Sequence, residues 1–235
     1  MIERRIAALV GCVLWSCILL AAGGCATSES SAKPGINDRW MSAEIEPLVE
    51  SLESESREIY VNRQLLAEVV DPRPGMVVAD IGAGSGFMAR ELATLVGPTG
   101  TVYAVDINPV MMQHVALRAA EDDITNLRAT VCSDRSVNLA ADSVDIVFIC
   151  DTYHHFEYPA STLRTIHDAL RPGGQIVLVD FRRVPGVSRA WILGHVRAGQ
   201  EEFTREITAA GFELTEIHDV PQLQENYVLR FRRIP

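Results

Sequence analysis

The chain has 235 residues, of which 48% are hydrophobic and 22% charged. At roughly 150 residues per domain it holds one full-sized domain or two small ones, and its composition excludes a disordered chain, a collagen-like repeat and a disulfide-dense miniprotein. Lysine and arginine number 21 against 31 acidic residues, a formal net charge of −10; so acidic a surface repels phosphate, and nucleic acid is not the expected partner.

The N-terminus reads as an address. Arg4 and Arg5 precede an apolar run over 6–22, then come Gly23, Gly24 and Cys25, and then a polar stretch. That order predicts a secretory signal. It resembles the bacterial lipoprotein signal, which implies removal of 1–24, lipidation of Cys25 and membrane attachment in the cell envelope. Ala22 departs from the leucine usual there. An uncleaved inner-membrane anchor is the alternative, 6–22 being near the short limit of a span. Residues 25–40, with Lys33, Pro34, Gly35 and Asn37 and no periodicity, read as a flexible tether. A single domain is expected over 41–235.

Within that domain, Ile45, Leu48, Val49 and Leu52, then Ile59, Leu66 and Val70, recur at helical spacing. Asp71-Pro72-Arg73-Pro74-Gly75 ends that run. Residues 76–81 form a short apolar segment of the kind buried in parallel sheets. A glycine turn, a helix over 87–96 and a strand over 101–106 follow. Asn108-Pro109 predicts a helix start, with a capping side chain and proline at the first helical position. Strands are expected at 127–132, 145–150 and 175–180, a helix at 159–170, and a helical patch through 210. Two further strands are expected, a half-buried one carrying Phe212, Leu214 and Ile217, and one over 226–232. This alternation predicts an α/β fold, a doubly wound, mostly parallel sheet with its ligand at the strands' carboxyl ends.

The strongest chemical signal is Asp80-Ile81-Gly82-Ala83-Gly84-Ser85-Gly86 after the first strand. Its glycines allow a sharp turn and close approach to a ligand. A dinucleotide fingerprint needs a third glycine where Phe87 stands, so pyrophosphate is disfavoured. Asp106 closes the second strand, where an acid accepts hydrogen bonds from a ribose diol. Together these predict a nucleoside ligand.

These blocks, with 142–156 and Leu170-Arg171-Pro172-Gly173-Gly174, resemble the class I S-adenosylmethionine-dependent methyltransferases over roughly residues 58–231. The resemblance implies a Rossmann-like seven-stranded sheet with one antiparallel strand, S-adenosyl-L-methionine as cofactor and a small-molecule methyl acceptor. It implies Asp80 near the methionine amino group, Gly82, Gly84 and Gly86 along that moiety, Asp106 on the ribose, Ile107 against adenine and Asp134 on the adenine amine. Asp151, at the tip of the fourth strand, is expected to line the same pocket.

Beyond that tip runs Thr152-Tyr153-His154-His155-Phe156-Glu157. His154 or His155 could act as general base, since histidine titrates near neutral pH, and Tyr153 or Phe156 could pack on the acceptor or the sulfonium. Adjacent histidines point apart and no His-x-x-x-His spacing accompanies them, so no metal is expected. Residues 180–183 and 191–197, the latter with Trp191 and His195, could line or cover the acceptor. Tyr60 and Arg63 could close over the donor, while His114, His167 and His218 read as structural. Cys132 and Cys150 read as buried free thiols, with a disulfide left open. Two alternatives remain: a protein that binds S-adenosylmethionine or S-adenosylhomocysteine without transfer, and an NAD-dependent oxidoreductase, against which Phe87 and the lack of a Tyr-x-x-x-Lys pair argue. An exported domain also raises the question of how a cytosolic donor reaches it.

Overall fold

A computed structural model describes residues 29–235. The expected signal and the expected lipidation of Cys25 lie outside the described residues. Among the described residues no helix is long and apolar enough to cross a membrane.

Strands β1 (Val77–Ile81), β2 (Thr101–Asp106), β3 (Leu127–Val131), β4 (Val144–Cys150), β5 (Leu170–Phe181), β6 (Phe212–His218) and β7 (Asn226–Arg233) form one sheet in the order β3-β2-β1-β4-β5-β7-β6. β7 runs antiparallel to both neighbours, and the other pairings are parallel. The fold is therefore the Rossmann-like, mostly parallel sheet with one antiparallel strand. The order reverses at β1/β4, and a crevice opens at the carboxyl ends there.

The apolar strands are continuous because both faces are covered. Val78, Ala104, Phe148 and Val177 pack on one face with α4 (Arg63–Val70), α5 (Phe87–Val96) and α6 (Pro109–Glu121). Ala79, Val147, Ile149 and Leu178 pack on the other, with α7 (Pro159–Ala169), α8 (Ala190–His195) and α9 (Gln200–Ala209). The start of α6 is capped as expected: Asn108 Oδ1 accepts from Val110 N at 2.9 Å and Met111 N at 3.1 Å, with Pro109 in the first turn.

Two expectations need correction. β5 begins at Leu170 rather than Gln175: Leu170 pairs with Val144, and the register then jumps to Gln175 opposite Ile146, with Arg171–Gly174 looped out between. The part of the expected tether that is described is also not free. Ile36 is buried, Ala32 N donates to Glu157 O, and Asp38–Ser42 forms a short helix, α1. With α2 (Ile45–Leu52) and α3 (Glu58–Val61), this segment crosses the carboxyl ends of the strands. Composition predicted a tether because Ser, Pro, Gly and Asn have no periodicity; here Ser31, Lys33 and Asn37 each make contacts with a distant element.

Gly82 needs its missing side chain for the fold itself. Its φ is +73°, and a Cβ would lie 2.0 Å from Thr152 Cγ2 on the loop after β4. Gly82→Ala is expected to cost about 2–4 kcal/mol, from left-handed strain plus a clash between two packed loops. Urea denaturation should show the midpoint falling at unchanged slope.

Candidate active site

A cleft of about 790 Å³ runs across the carboxyl ends of β1, β2, β4 and β5. Its floor at one end is the turn after β1. Gly84 N donates to Asp106 Oδ2 at 3.0 Å, and Asn108 N to Asp106 Oδ1 at 2.9 Å. The carboxylate is thus fixed by the main chain, and each oxygen keeps a lone pair for a ligand. Burial raises the Asp106 pKa. Asp80 lies deeper. Its Oδ2 has no hydrogen-bond partner, and burial, then the Asp106 charge, pushes it from 3.8 up to about 7. An orphaned buried carboxyl beside a second acid is the feature a cationic ligand would satisfy.

The expected donor-side residues divide. Asp80, Gly82, Gly84, Asp106, Ile107, Asp134 and Asp151 border the cleft. Gly86 does not; it starts α5 at φ +75°, and a Cβ there would press on Val115 at 3.0 Å. Asp134 is exposed at the rim, and its main-chain oxygen accepts from Thr162 Oγ1. Asp151 is held by Arg57 Nη2 at 2.9 Å and by Asn226 Nδ2. Burial still raises it, to about 6, against the pull of Arg57. Each of its oxygens accepts one hydrogen bond from the protein, which ties α3 and β7 to the tip of β4.

The far end of the cleft is made of histidine. A 3₁₀ turn, Tyr153–His155, follows β4. His154 is buried, with Nδ1 2.8 Å from Asp180 Oδ1, and its main-chain N donates to Asp180 Oδ2 at 3.2 Å. Asp180 is fully buried and also accepts from Phe181 N at 2.7 Å. This carboxylate therefore fixes the imidazole's orientation and favours the tautomer with hydrogen on Nδ1. His155 Nδ1 lies 3.2 Å from Asn37 Oδ1, whose amide also donates to His155 O. His155 Nε2 lies 3.2 Å from His195 Nε2. Burial, then neighbouring charge, lowers His155 to about 2 and His195 to about 4.

Tyr153 is the clear correction. It points into the core, where its hydroxyl donates to Glu206 Oε2 at 2.8 Å beside Arg197, and it does not border the cleft. Its alternation with His154 on a tight turn sends the two side chains to opposite sides. Phe156, Phe181 and Trp191 do border the cleft, the last two edge to face at 5.0 Å. Tyr60 and Arg63 pack on α5 instead, Arg63 on Glu91 at 3.1 Å and over the Tyr60 ring. Cys132 and Cys150 are free thiols at the cleft wall; burial pushes the first up to about 12 and the second up as well, so neither is a nucleophile at neutral pH.

Sequence reasoning placed Asp180 only within a segment, 180–183, that could line the acceptor, without its pairing to His154, and it missed two further contributors. Asn37 and Arg57 had no local signal, since their roles depend on how residues 29–58 cross the sheet.

A carboxylate fixed by the main chain, an unpartnered buried acid and a buried histidine–carboxylate pair thus lie along one cleft. The chain belongs to the methyltransferase-domain family, whose model matches residues 72–229. S-adenosyl-L-methionine is the cofactor that goes with this family and this cleft. Among curated proteins the chain is similar to nocamycin O-methyltransferase of Saccharothrix syringae, 35% identical over 59% of this chain and 49% of that protein. It is likewise similar to the ubiquinone/menaquinone biosynthesis C-methyltransferase UbiE of Bordetella avium, 32% identical over 48% of this chain and 43% of that one. The chain thus spans about half the length of the curated relatives it matches. Its fold is that of a SAM-dependent methyltransferase from Aquifex aeolicus, with a TM-score of 0.72 and 18% identity over 82% of this chain and all of that one.

Proposed function

We propose that the chain transfers a methyl group from S-adenosylmethionine to a small-molecule acceptor bound between His154, Phe181 and Trp191. The observation that carries this reading is one continuous cleft joining the Gly84–Asp106 floor to the His154–Asp180 pair. When bound, the sulfonium supplies an activated methyl group. Asp106 holds the ribose hydroxyls, Ile107 and the Asp134 rim face adenine, and Asp80 faces the amino group. Asp180 keeps a hydrogen on His154 Nδ1, which leaves the other ring nitrogen to take the acceptor's proton. Residues 29–58, which cross the cleft, exclude water from the reacting atoms. The net charge of −10 and the aromatic wall favour a small uncharged acceptor over RNA.

Calorimetry with S-adenosylhomocysteine, followed by transfer of labelled methyl from the donor into the small-molecule fraction of an extract, tests the reading. Tight binding with transfer supports it; tight binding without transfer favours the donor-binding protein that lacks activity.

Asp80 adds a pH test. Its pKa, raised to about 7, means that the carboxyl is neutral below that pH and cannot attract a cation. Donor affinity is expected to rise about tenfold per pH unit up to about 7 and then level, with a proton released on binding. The same raised pKa makes the free protein lose stability as pH climbs from 3.8 to about 7, and bound donor offsets that loss. Asp80→Asn should weaken binding and flatten its pH dependence; an unchanged slope by calorimetry would detach Asp80 from the amino group.

We also infer that lipidated Cys25 holds the domain at a membrane of the cell envelope. The first described contacts support a close attachment: Glu29 accepts from Ala160 N at 2.7 Å and Ser161 N at 2.8 Å. Four residues of extended chain reach about 13 Å, so the rim of the cleft would sit next to the bilayer. Fractionation with protease accessibility, on wild type and Cys25→Ser, decides this; a soluble, protected wild-type protein overturns it.

A further inference from the structure

The cleft brings together three imidazoles where the sequence offered two neighbours. His154 and His155 come from the turn after β4, and His195 from the end of α8. One ring nitrogen of each lies within 4.8 Å of the others, and all three residues border the cleft. The expectation of no metal rested on adjacent histidines pointing apart; it did not include a third ring from forty residues on. His155 Nε2 and His195 Nε2 stand 3.2 Å apart. Two nitrogens bound tetrahedrally at 2.0–2.1 Å would stand about 3.3 Å apart. The separation of the existing pair is therefore that of two ligands on one ion.

The surroundings are those of an oriented ligand set. Metal-bound imidazoles hand their other nitrogen to a carboxylate or carbonyl, which fixes the ring and the tautomer. His154 Nδ1 meets Asp180 at 2.8 Å and His155 Nδ1 meets Asn37 Oδ1 at 3.2 Å. Lys33 donates to the main-chain oxygens of Gly194 and His195 and so ties the end of α8, which carries the third ring, to the N-terminal segment. Asp180 supplies the buried negative charge.

We propose that His154, His155 and His195 bind a divalent first-row metal ion of the zinc class, with an open position toward the methyl acceptor. Three imidazoles with a free fourth position make a reactive rather than a closed structural site. An acceptor hydroxyl bound there would lose its proton to solvent more readily. Its oxygen would then form the bond to the methyl carbon as the carbon–sulfur bond breaks, with the electron pair left on sulfur. This role in transfer rests on the methyltransferase reading; the ion site does not. With the ion in place His154 is a ligand, and without it the same imidazole is the base.

The test uses the purified chain stripped with chelator and titrated with Co²⁺ alone, then with Zn²⁺ alone. One equivalent of Co²⁺ giving the intense visible bands of a four-coordinate site, displaced by Zn²⁺, is expected. His155→Gln and His195→Gln should abolish stoichiometric uptake, and Asp180→Asn should weaken it by about 10- to 100-fold. X-ray absorption on the zinc-loaded wild type gives a second readout that needs no variant: a nitrogen and oxygen shell supports the site. Absence of stoichiometric uptake overturns the proposal, as does uptake unchanged in both variants or sulfur from Cys132 or Cys150 in the shell. S-adenosylhomocysteine binding, measured on the same stripped protein, separates the two ideas. Donor binding without metal uptake sinks only the ion site; metal uptake without donor binding sinks only the methyltransferase reading.

Discussion

In the metal-stripped protein, Asp180→Asn is expected to slow methyl transfer by about 10²- to 10⁴-fold while leaving S-adenosylhomocysteine affinity within about twofold. The substitution keeps the volume of a fully buried side chain that accepts from Phe181 N, His154 N and His154 Nδ1. Oδ1 takes both Phe181 N and His154 Nδ1, and Oδ2 takes His154 N, so the single oxygen of an amide can serve only one of these sides. With oxygen at Oδ1 the His154 tautomer is kept and NH₂ is set against His154 N; turned over, NH₂ is set against Phe181 N and Nδ1. In both orientations the negative charge that would stabilise the imidazolium, formed as the acceptor's proton arrives, is gone. Asp180 acts through His154, so two readouts separate positioning from simple loss of structure. The rate with His154→Gln and Asp180→Asn combined should be no lower than with the worse single variant, because both remove one device. The loss in Asp180→Asn should also fall on kcat rather than on the KM for the donor, with the fold retained by circular dichroism. Transfer at the wild-type rate in either single variant would take the pair out of the reaction.

Much of this was legible before the fold was known, because a parallel sheet writes itself plainly. Residues 101–106 and 145–150 are apolar runs bounded by turn residues, and Asn108-Pro109 is a start signal that depends only on neighbours in sequence. The turn at Gly82 was legible for the same reason, although the reason it must be glycine differs from the expected one. Its empty side is filled by Thr152 from another strand, not by ligand. What the sequence could not display are contacts between elements far apart in the chain. The 154–180 pair spans neighbouring strands, the 155–195 pair joins a turn to a later helix, and the 37–155 contact folds the N-terminal segment over the cleft. None has a periodicity, and each depends on the order β1-β4-β5 and on where residues 29–58 lie. Tyr153 was misplaced by a different error. It shares a hydrogen-bonding ring with its neighbours, but its hydroxyl has a partner in the core, Glu206, whereas the rings of His154 and His155 lie 4.5 Å apart at the cleft.

Asp106→Ala is expected to weaken S-adenosylhomocysteine binding by about 30- to 150-fold, the equivalent of ~2–3 kcal/mol for charged hydrogen bonds to a diol. Asp106 Oδ2 is already engaged by Gly84 N and Oδ1 by Asn108 N, so the carboxylate enters binding with its orientation fixed and loses little freedom when a ribose arrives. Removing it also frees two main-chain N–H groups at a half-buried position where water can replace the lost acceptor, and the variant should stay folded by circular dichroism. The diol assignment can be isolated by changing the ligand as well as the protein. With the 2′-deoxy analogue of S-adenosylhomocysteine, wild type should lose part of its affinity, and Asp106→Ala should lose correspondingly less, because the partner hydroxyl is already absent. If the two losses simply add, the carboxylate and the hydroxyl do not meet. If Asp106→Ala binds S-adenosylhomocysteine as tightly as wild type does, the nucleoside lies elsewhere in the cleft, and the roles given to Asp80 and Ile107 fall with it.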